Sequence, residues 1–168
     1  KSLGQNFLVD KNIINKIIKI GNIEKSSTVL EIGSGNGNLT DKIISENPKK
    51  IYAIEKDKNL IDLLKKKLPN NKKIEIINAD ILNIIKTKKF AKNTIVYGNL
   101  PYNISTQILA SFIQLKSWPP WYRMLVFMFQ KEVADRIISD KDSNSFGRLS
   151  ILANWRLEIK KHFDVSKN

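Results

Sequence analysis

The chain of 168 residues has 42% hydrophobic and 27% charged side chains, which is the composition of one globular domain and excludes a disordered segment. It contains no cysteine and a single histidine, which excludes disulfides and thiolate metal sites, so we expect no metal. Its net charge of +13 is compatible with a nucleic-acid partner, although a general enrichment in lysine explains the charge almost as well.

The first residues, KSLGQNFLVDK, lack the apolar segment of a signal peptide. No apolar run in the chain reaches the roughly 18 residues that cross a bilayer, so we expect a cytoplasmic protein without membrane contact. The residues that follow predict an amphipathic helix that begins after the N-cap Asp10 and ends at Gly21. Its apolar face is formed by Ile13, Ile14, Ile17 and Ile18.

Short apolar runs then alternate with stretches of helical periodicity. Strands are predicted at 28–33, 51–55, 74–80, 94–99 and 123–129, and helices at 39–47, 58–68, 105–115 and 131–139. A further helix over 148–155 and a sixth strand within 156–165 complete the pattern. Strands that are apolar throughout and separated by helices predict an α/β fold over residues 1–168, doubly wound and Rossmann-like. Its sheet is expected to be mostly parallel, with helices on both faces.

Polar residues stand where the predicted strands end. Glu31 with its glycines follows the first strand, Glu55 the second, Asp80 the third and Asn99 the fourth. Open α/β sheets bind ligands at this edge, and a carboxylate about twenty residues after the first glycine, Gly33, is placed to hold ribose hydroxyls. Each acidic residue has the alternative of merely capping the next helix. Together they favour a cofactor that contains adenosine.

Two classes of cofactor compete for this loop. A dinucleotide fingerprint needs a third glycine, but Asn38 occupies its position in the sequence GSGNGN that starts at Gly33. Glu31 would repel a pyrophosphate, whereas it would attract the sulfonium and ammonium groups of S-adenosylmethionine. We therefore predict S-adenosylmethionine.

The sequence NLPY, from Asn99 to Tyr102, predicts a site for an amino group on a planar base. Pro101 extends the backbone before it, which leaves carbonyl groups such as that of Leu100 free to accept hydrogen bonds. Asn99 adds a side-chain oxygen, and Tyr102 offers a ring face for stacking. Methyl transfer from a sulfonium to such an amine requires positioning more than a strong base.

Five segments together resemble the KsgA family: GQNFL (4–8), EIGSGNGNLT (31–40), NLPYNIST (99–106), QKEVADRI (130–137) and FGRLS (146–150). The resemblance implies S-adenosylmethionine-dependent dimethylation of N6 on two adjacent adenines near the 3′ end of small-subunit ribosomal RNA, during assembly of the small subunit. An Erm-type large-subunit rRNA methyltransferase shares the first motifs and is one alternative. A ribosome-assembly or transcription factor that retains the fold is the other.

The resemblance also implies roles for single residues. Asn6 and Leu8 would close over the cofactor, and Gly33 would contact its methionine part. Glu55 would hold the ribose and Asp80 the adenine amino group. Asn99 and the carbonyl of Leu100 would bind the target amine, and Tyr102 would stack on the flipped base.

The chain departs from the family pattern in two places. Family members continue with a final strand, a proline-rich loop and a helical C-terminal domain. We therefore expect a fragment that binds the cofactor but is weak or inactive on RNA. We also expect a monomer. The segment WPPWY contains Trp118 and Trp121, which either stack on RNA or pack against the protein.

Overall fold

The structure is a computed structural model that describes residues 8–68 and 71–165. The strands are β1 (Thr28–Ile32), β2 (Lys50–Glu55), β3 (Ile74–Asn78), β4 (Thr94–Asn99) and β5 (Tyr122–Met128). The helices are α1 (Lys11–Gly21), α2 (Asn38–Ser45), α3 (Lys58–Lys67), α4 (Ile81–Ile84), α5 (Ser105–Ile113), α6 (Lys131–Ile138) and α7 (Arg148–Arg156). None of these helices has the length and apolar character to cross a bilayer.

The five described strands form one parallel sheet in the order β3-β2-β1-β4-β5. Helices α1 and α2 lie on one face, and α4 and α5 lie on the other. The order reverses between β1 and β4, because the chain builds outward from β1 to β3 and then returns to the other side of β1. The predicted doubly wound Rossmann-like class is therefore confirmed.

The register of the strands brings their carboxyl ends to one edge of the sheet. Ile32, the last residue of β1, pairs with Ile54 of β2 and with Gly98 of β4. Glu55, the last residue of β2, pairs with Asn78 of β3. The polar residues that follow the strands therefore emerge together, at the edge where open α/β sheets bind ligands.

Side chains of the central strands alternate between two apolar layers. Leu30 and Val96 pack with α4 and α5, whereas Val29 and Ile95 pack with α1 and α2. All four are fully buried. The alternation follows from the two-residue period of a strand, and burial on both faces explains why each strand is apolar throughout.

Helix α1 begins and ends at the predicted residues. The carboxylate of Asp10 accepts hydrogen bonds from the second and third backbone N–H groups of the helix, as an N-cap does. The residue with left-handed backbone angles at the end of the helix is Asn22 and not Gly21. Glycine is needed at position 21 because a side chain there would clash with Tyr97. A Cβ at Gly21 would lie 1.9 Å from the hydroxyl oxygen of Tyr97, which donates a hydrogen bond of 3.0 Å to the carbonyl of Ile18. This contact fixes α1 against β4.

The prediction from the sequence was wrong for two segments. Helix α4 lies in the stretch predicted as a connection, and the predicted sixth strand within 156–165 does not form: residues 157–165 are in neither a helix nor a strand. Leu157 and Ile159 pack on the helices beside β5, and Phe163 packs on the layer under α1. Alternation of apolar and charged residues resembles a strand, but a strand also requires backbone pairing, and β5 pairs only with β4 among the described residues.

Candidate active site

A pocket opens at the carboxyl edge of the sheet, where the strand order reverses. Its walls are Leu8, Glu31, Gly33, Ser34, Gly35, Asn36, Asn38, Leu39 and Asn99. These residues come from four parts of the chain: the N-terminal segment, the end of β1 with the loop after it, the start of α2 and the end of β4. The pocket thus brings the predicted glycine loop and the first residue of the predicted NLPY site into one cavity.

The glycine loop, residues 33–37, is held between β2 and α3. Gly33 donates its backbone N–H to the carbonyl of Ile54 at 2.8 Å. Gly37 has a left-handed φ of 79°, and a Cβ at this position would lie 2.6 Å from a methyl carbon of Leu64. Both facts require glycine at position 37, because other residues would be strained and would clash. The tight loop leaves the backbone at Gly33 open to the pocket.

Glu31 is a carboxylate buried in the wall of the pocket, with 1% of its surface exposed. Burial is the main reason that the pKa of Glu31 is raised to about 7; the hydroxyls of Thr40 and Ser34 lower this pKa, and the negative charges of Glu55 and Asp41 raise it, and about 7 is the net result. Thr40 donates a hydrogen bond of 2.6 Å to Oε2 of Glu31. A cation in the pocket would stabilise the ionised form and lower this pKa.

Ser34 provides the second polar group of this wall. Its Oγ is buried and lies close enough to Glu31 to lower the pKa of that carboxyl, but it makes no hydrogen bond of good geometry within the part of the chain that the structure describes. An unpartnered buried hydroxyl costs free energy, so a ligand that bonds to it gains by satisfying it.

Glu55 lies beside the pocket and is 3% exposed. Its Oε2 accepts the N–H of Gly35 at 2.9 Å, and its Oε1 accepts the N–H groups of Lys56 at 2.8 Å and Asp57 at 2.9 Å. The carboxylate therefore fixes the glycine loop to the end of β2. Ribose binding by Glu55 stays a prediction. The ribose hydroxyls would have to bind to lone pairs of the carboxylate that these three N–H donors do not use.

Asp80 is the N-cap of α4, which is the alternative that the sequence left open for it. Its Oδ1 accepts the N–H of Leu82 at 3.0 Å, and its Oδ2 lies 3.0 Å from Nζ of Lys56. Partial burial raises the pKa of Asp80, but the hydrogen bonds from Lys56 and Leu82 and the charge of Lys56 outweigh burial and hold it below its ordinary value. Asp80 is thus an anion at neutral pH, and its predicted contact with adenine is untested.

The NLPY residues form the turn between β4 and α5. Asn99 lines the pocket, Leu100 is 2% exposed and Tyr102 is 45% exposed. The carbonyl of Pro101 accepts the N–H of Ile104 at 3.2 Å, which closes the turn. Leu100 thus anchors the turn in the core, while the ring of Tyr102 remains accessible from solvent.

The N-terminal segment contributes Leu8, which lies in the pocket wall as the resemblance implied. The other residue predicted there, Asn6, lies outside the described residues. Sequence reasoning missed Asn38, which it treated only as the absence of a glycine. Its side-chain Nδ2 donates a hydrogen bond of 2.9 Å to the carbonyl of Leu8.

The two tryptophans of WPPWY have different surroundings. Trp121 is partly buried and packs against the core, with its ring 4.7 Å from that of Phe90 and 5.9 Å from that of Phe112. Trp118 is 41% exposed and lies against the guanidinium of Arg156, 4.7 Å from its ring centre. Packing accounts for Trp121, whereas an RNA contact of Trp118 stays a prediction.

Comparison with known proteins places the chain in a family. The family model described as Ribosomal RNA adenine dimethylase matches residues 1–168. Ribosomal RNA small subunit methyltransferase A of Pelagibacter ubique is 50% identical over 98% of the chain, and the chain spans 62% of that relative's length.

Two solved structures share the fold. A dimethyladenosine transferase from Plasmodium falciparum is 31% identical with a TM-score of 0.75, over 89% of this chain and 52% of that one. The 23S rRNA methyltransferase ErmE is 27% identical with a TM-score of 0.69, over 88% of this chain and 55% of that one. The match to the family model covers the whole sequence, and the chain therefore belongs to the ribosomal RNA adenine dimethylase family.

Proposed function

We propose that residues 1–168 are the catalytic domain of an enzyme that dimethylates N6 of two adjacent adenines near the 3′ end of small-subunit ribosomal RNA. The observation that carries the proposal is the position of Asn99, an amide at the end of β4, in the same pocket as Glu31 and Gly33. A group that can hold an amine thus lies beside a pocket suited to a cationic cofactor. The relative named for the small subunit, at 50% identity, supports this substrate over that of ErmE, at 27%.

S-adenosylmethionine fits the residues of the pocket. The buried hydroxyl of Ser34 offers an unsatisfied polar group, and Glu31 offers a negative charge to the sulfonium and ammonium groups. Gly33 has a left-handed φ of 71°, which glycine adopts without strain, and it has no side chain to occupy the pocket. When bound, the cofactor supplies an electrophilic methyl group. In the proposal, Asn6 and Leu8 cover it.

The other cofactor contacts belong to the carboxylates of the next two strands. Glu55 is proposed to hold the ribose hydroxyls and Asp80 the exocyclic amine of the cofactor's adenine. Both groups are already oriented by hydrogen bonds from the protein, three to Glu55 and two to Asp80. Preorganised acceptors lose little further freedom when a ligand binds, which favours affinity.

The target amine is proposed to lie at the NLPY turn. The side-chain oxygen of Asn99 and the carbonyl of Leu100 would accept its two hydrogens, which orients the nitrogen lone pair toward the methyl group. Pro101 shapes the turn, and the ring of Tyr102 would stack on the adenine. Positioning of this kind supplies the catalysis, because none of the four residues is a strong base at neutral pH.

The decisive experiment incubates the protein with labelled S-adenosylmethionine and undermethylated small ribosomal subunits. We expect calorimetry to detect cofactor binding that Asp80→Ala weakens, and mass spectrometry to detect little N6,N6-dimethyladenosine, since the chain spans only 62% of its relative. Tyr102→Ala should remove the residual product, and Tyr102→Phe, which keeps the ring, should retain more of it. A parallel incubation with large ribosomal subunits tests the Erm-type alternative, which methylation of large-subunit RNA alone would favour. Absence of cofactor binding would reject the methyltransferase.

The proposal includes a monomer that meets its RNA in the cytoplasm, within the assembling small subunit. Sedimentation of the purified chain tests the first part. Cofactor binding without any methylation, even with the longer relative's C-terminal part supplied, would favour a non-catalytic assembly factor.

A further inference from the structure

One hydrogen bond links the N-terminal segment to the start of α2 in the wall of the pocket. Nδ2 of Asn38 donates to the carbonyl oxygen of Leu8 at 2.9 Å, although 30 positions separate the two residues. Both residues line the pocket. The contact therefore sits at the boundary of the cavity in which the cofactor is proposed to bind.

The side chain of Asn38 is not used to cap its own helix. Asn38 is the first residue of α2 and follows the N-cap position, which Gly37 occupies without a side-chain hydrogen bond. A side-chain oxygen caps backbone N–H groups from the N-cap position, one residue earlier. The amide nitrogen of Asn38 is directed to Leu8, so this contact joins two separate parts of the chain.

Two contacts fix the position of Leu8. Two residues after it, Asp10 caps α1 and fixes where the helix begins. On the other side, Asn38 binds its carbonyl while its own N–H donates to Oδ1 of Asn36 in the glycine loop at 3.3 Å. The segment before α1 is thereby tied to the loop that forms the floor of the pocket.

We propose that Asn38 is a positioning residue that holds the Leu8 segment over the pocket and so slows release of an adenosyl cofactor. The inference rests on the proposed function, because it assumes that this cofactor binds there. An uncharged donor suits the task, since a lysine at this position would place a positive charge near a cationic ligand.

The test measures S-adenosylhomocysteine, which has no sulfonium and no net charge, so a change of charge at position 38 affects it little. Calorimetry gives its Kd, and a chase of radiolabelled ligand gives its dissociation rate. Asn38→Ala is expected to raise both by about three- to tenfold, the effect of one hydrogen bond. Asn59→Ala, at an exposed position in the first turn of α3, is the matched control and should change neither.

Asn38→Asp separates positioning from stability. Aspartate keeps the shape but has no N–H, so dissociation should accelerate, while an acidic residue in the first turn of α2 should leave the thermal midpoint unchanged or raise it. Asn38→Gln, which regains a donor, should restore part of the slow release. Dissociation as slow as wild type in both Asn38→Ala and Asn38→Asp would overturn the inference. Failure of the wild type to bind S-adenosylhomocysteine would instead reject the proposed function on which it rests.

Discussion

Glu31 should make the stability of the fold depend on pH in a direction opposite to that of most carboxylates. Burial raises its pKa from the ordinary 4.5 to about 7, so the folded protein keeps a proton that the unfolded chain releases. Stability from this group is therefore complete below pH 4.5 and is lost as the pH rises through about 7. The difference between 4.5 and 7, at about 1.36 kcal/mol for each pH unit, amounts to about 3 kcal/mol.

The measurement is urea unfolding of the wild type and of Glu31→Gln at several values between pH 4.5 and 8. Glutamine keeps an oxygen that accepts from Thr40, but it cannot ionise. Subtraction of the two curves removes the titration of other groups, so the variant should gain about 3 kcal/mol relative to the wild type across this range. Parallel curves would show that Glu31 does not titrate in this window and would refute the reasoning.

A second arm of the same experiment connects Glu31 to the cofactor. A bound cation favours the ionised carboxylate, so saturating S-adenosylmethionine should move the loss of stability to lower pH. The affinity of the wild type for this ligand should accordingly increase as the pH rises toward 7. An equal increase in Glu31→Gln would assign the effect to another group.

Four further substitutions test the packing of the fold, each by urea unfolding. Gly37→Ala should cost about 1–3 kcal/mol, because φ is 79° and Leu64 leaves no space for a Cβ; wild-type stability would mean that the loop relaxes. Tyr97→Phe should cost about 1 kcal/mol, because it removes the hydroxyl that donates to the carbonyl of Ile18 in α1. An unchanged stability would mean that a water molecule replaces this donor. Trp121→Ala should cost about 3 kcal/mol, the low end of the range for a buried aromatic residue, because Trp121 is partly buried against the core. Trp118→Ala should cost less than about 1 kcal/mol, and equal losses would contradict this assignment.

The sequence predicted the fold well where local and long-range requirements agree. Helix α1 has a strong N-cap in Asp10 and an apolar stripe with helical spacing, and both are realised. The strands were recognised because burial on two faces makes them apolar throughout. Prediction failed within 156–165, where alternating residues imitate a strand, because backbone pairing depends on a neighbour that a local pattern does not report.

The position of the candidate site could be predicted from the sequence, but its contacts could not. The polar residues at the strand ends, Glu31, Glu55, Asp80 and Asn99, follow from the rule that such sheets bind ligands at their carboxyl edge. The hydrogen bond from Asn38 to Leu8 could not be predicted, because a local sequence pattern does not show which residues 30 positions apart come into contact. A side chain that replaces an expected glycine is nevertheless a place to look for a new contact.

The protein contacts of Glu55 and Asp80 do not exclude the ligand roles proposed for them, although the sequence posed capping and ligand binding as alternatives. A carboxylate has about four lone-pair sites. Glu55 uses three for backbone N–H groups, and Asp80 uses one for its cap and one for Lys56. The protein contacts fix the direction of the sites that remain, so the same bonds that build the loop would orient each carboxylate for the proposed ligand. A substitution at Glu55 must therefore disturb the glycine loop together with any ligand, whereas the exposed Lys56 can be removed from Asp80 without loss of the cap.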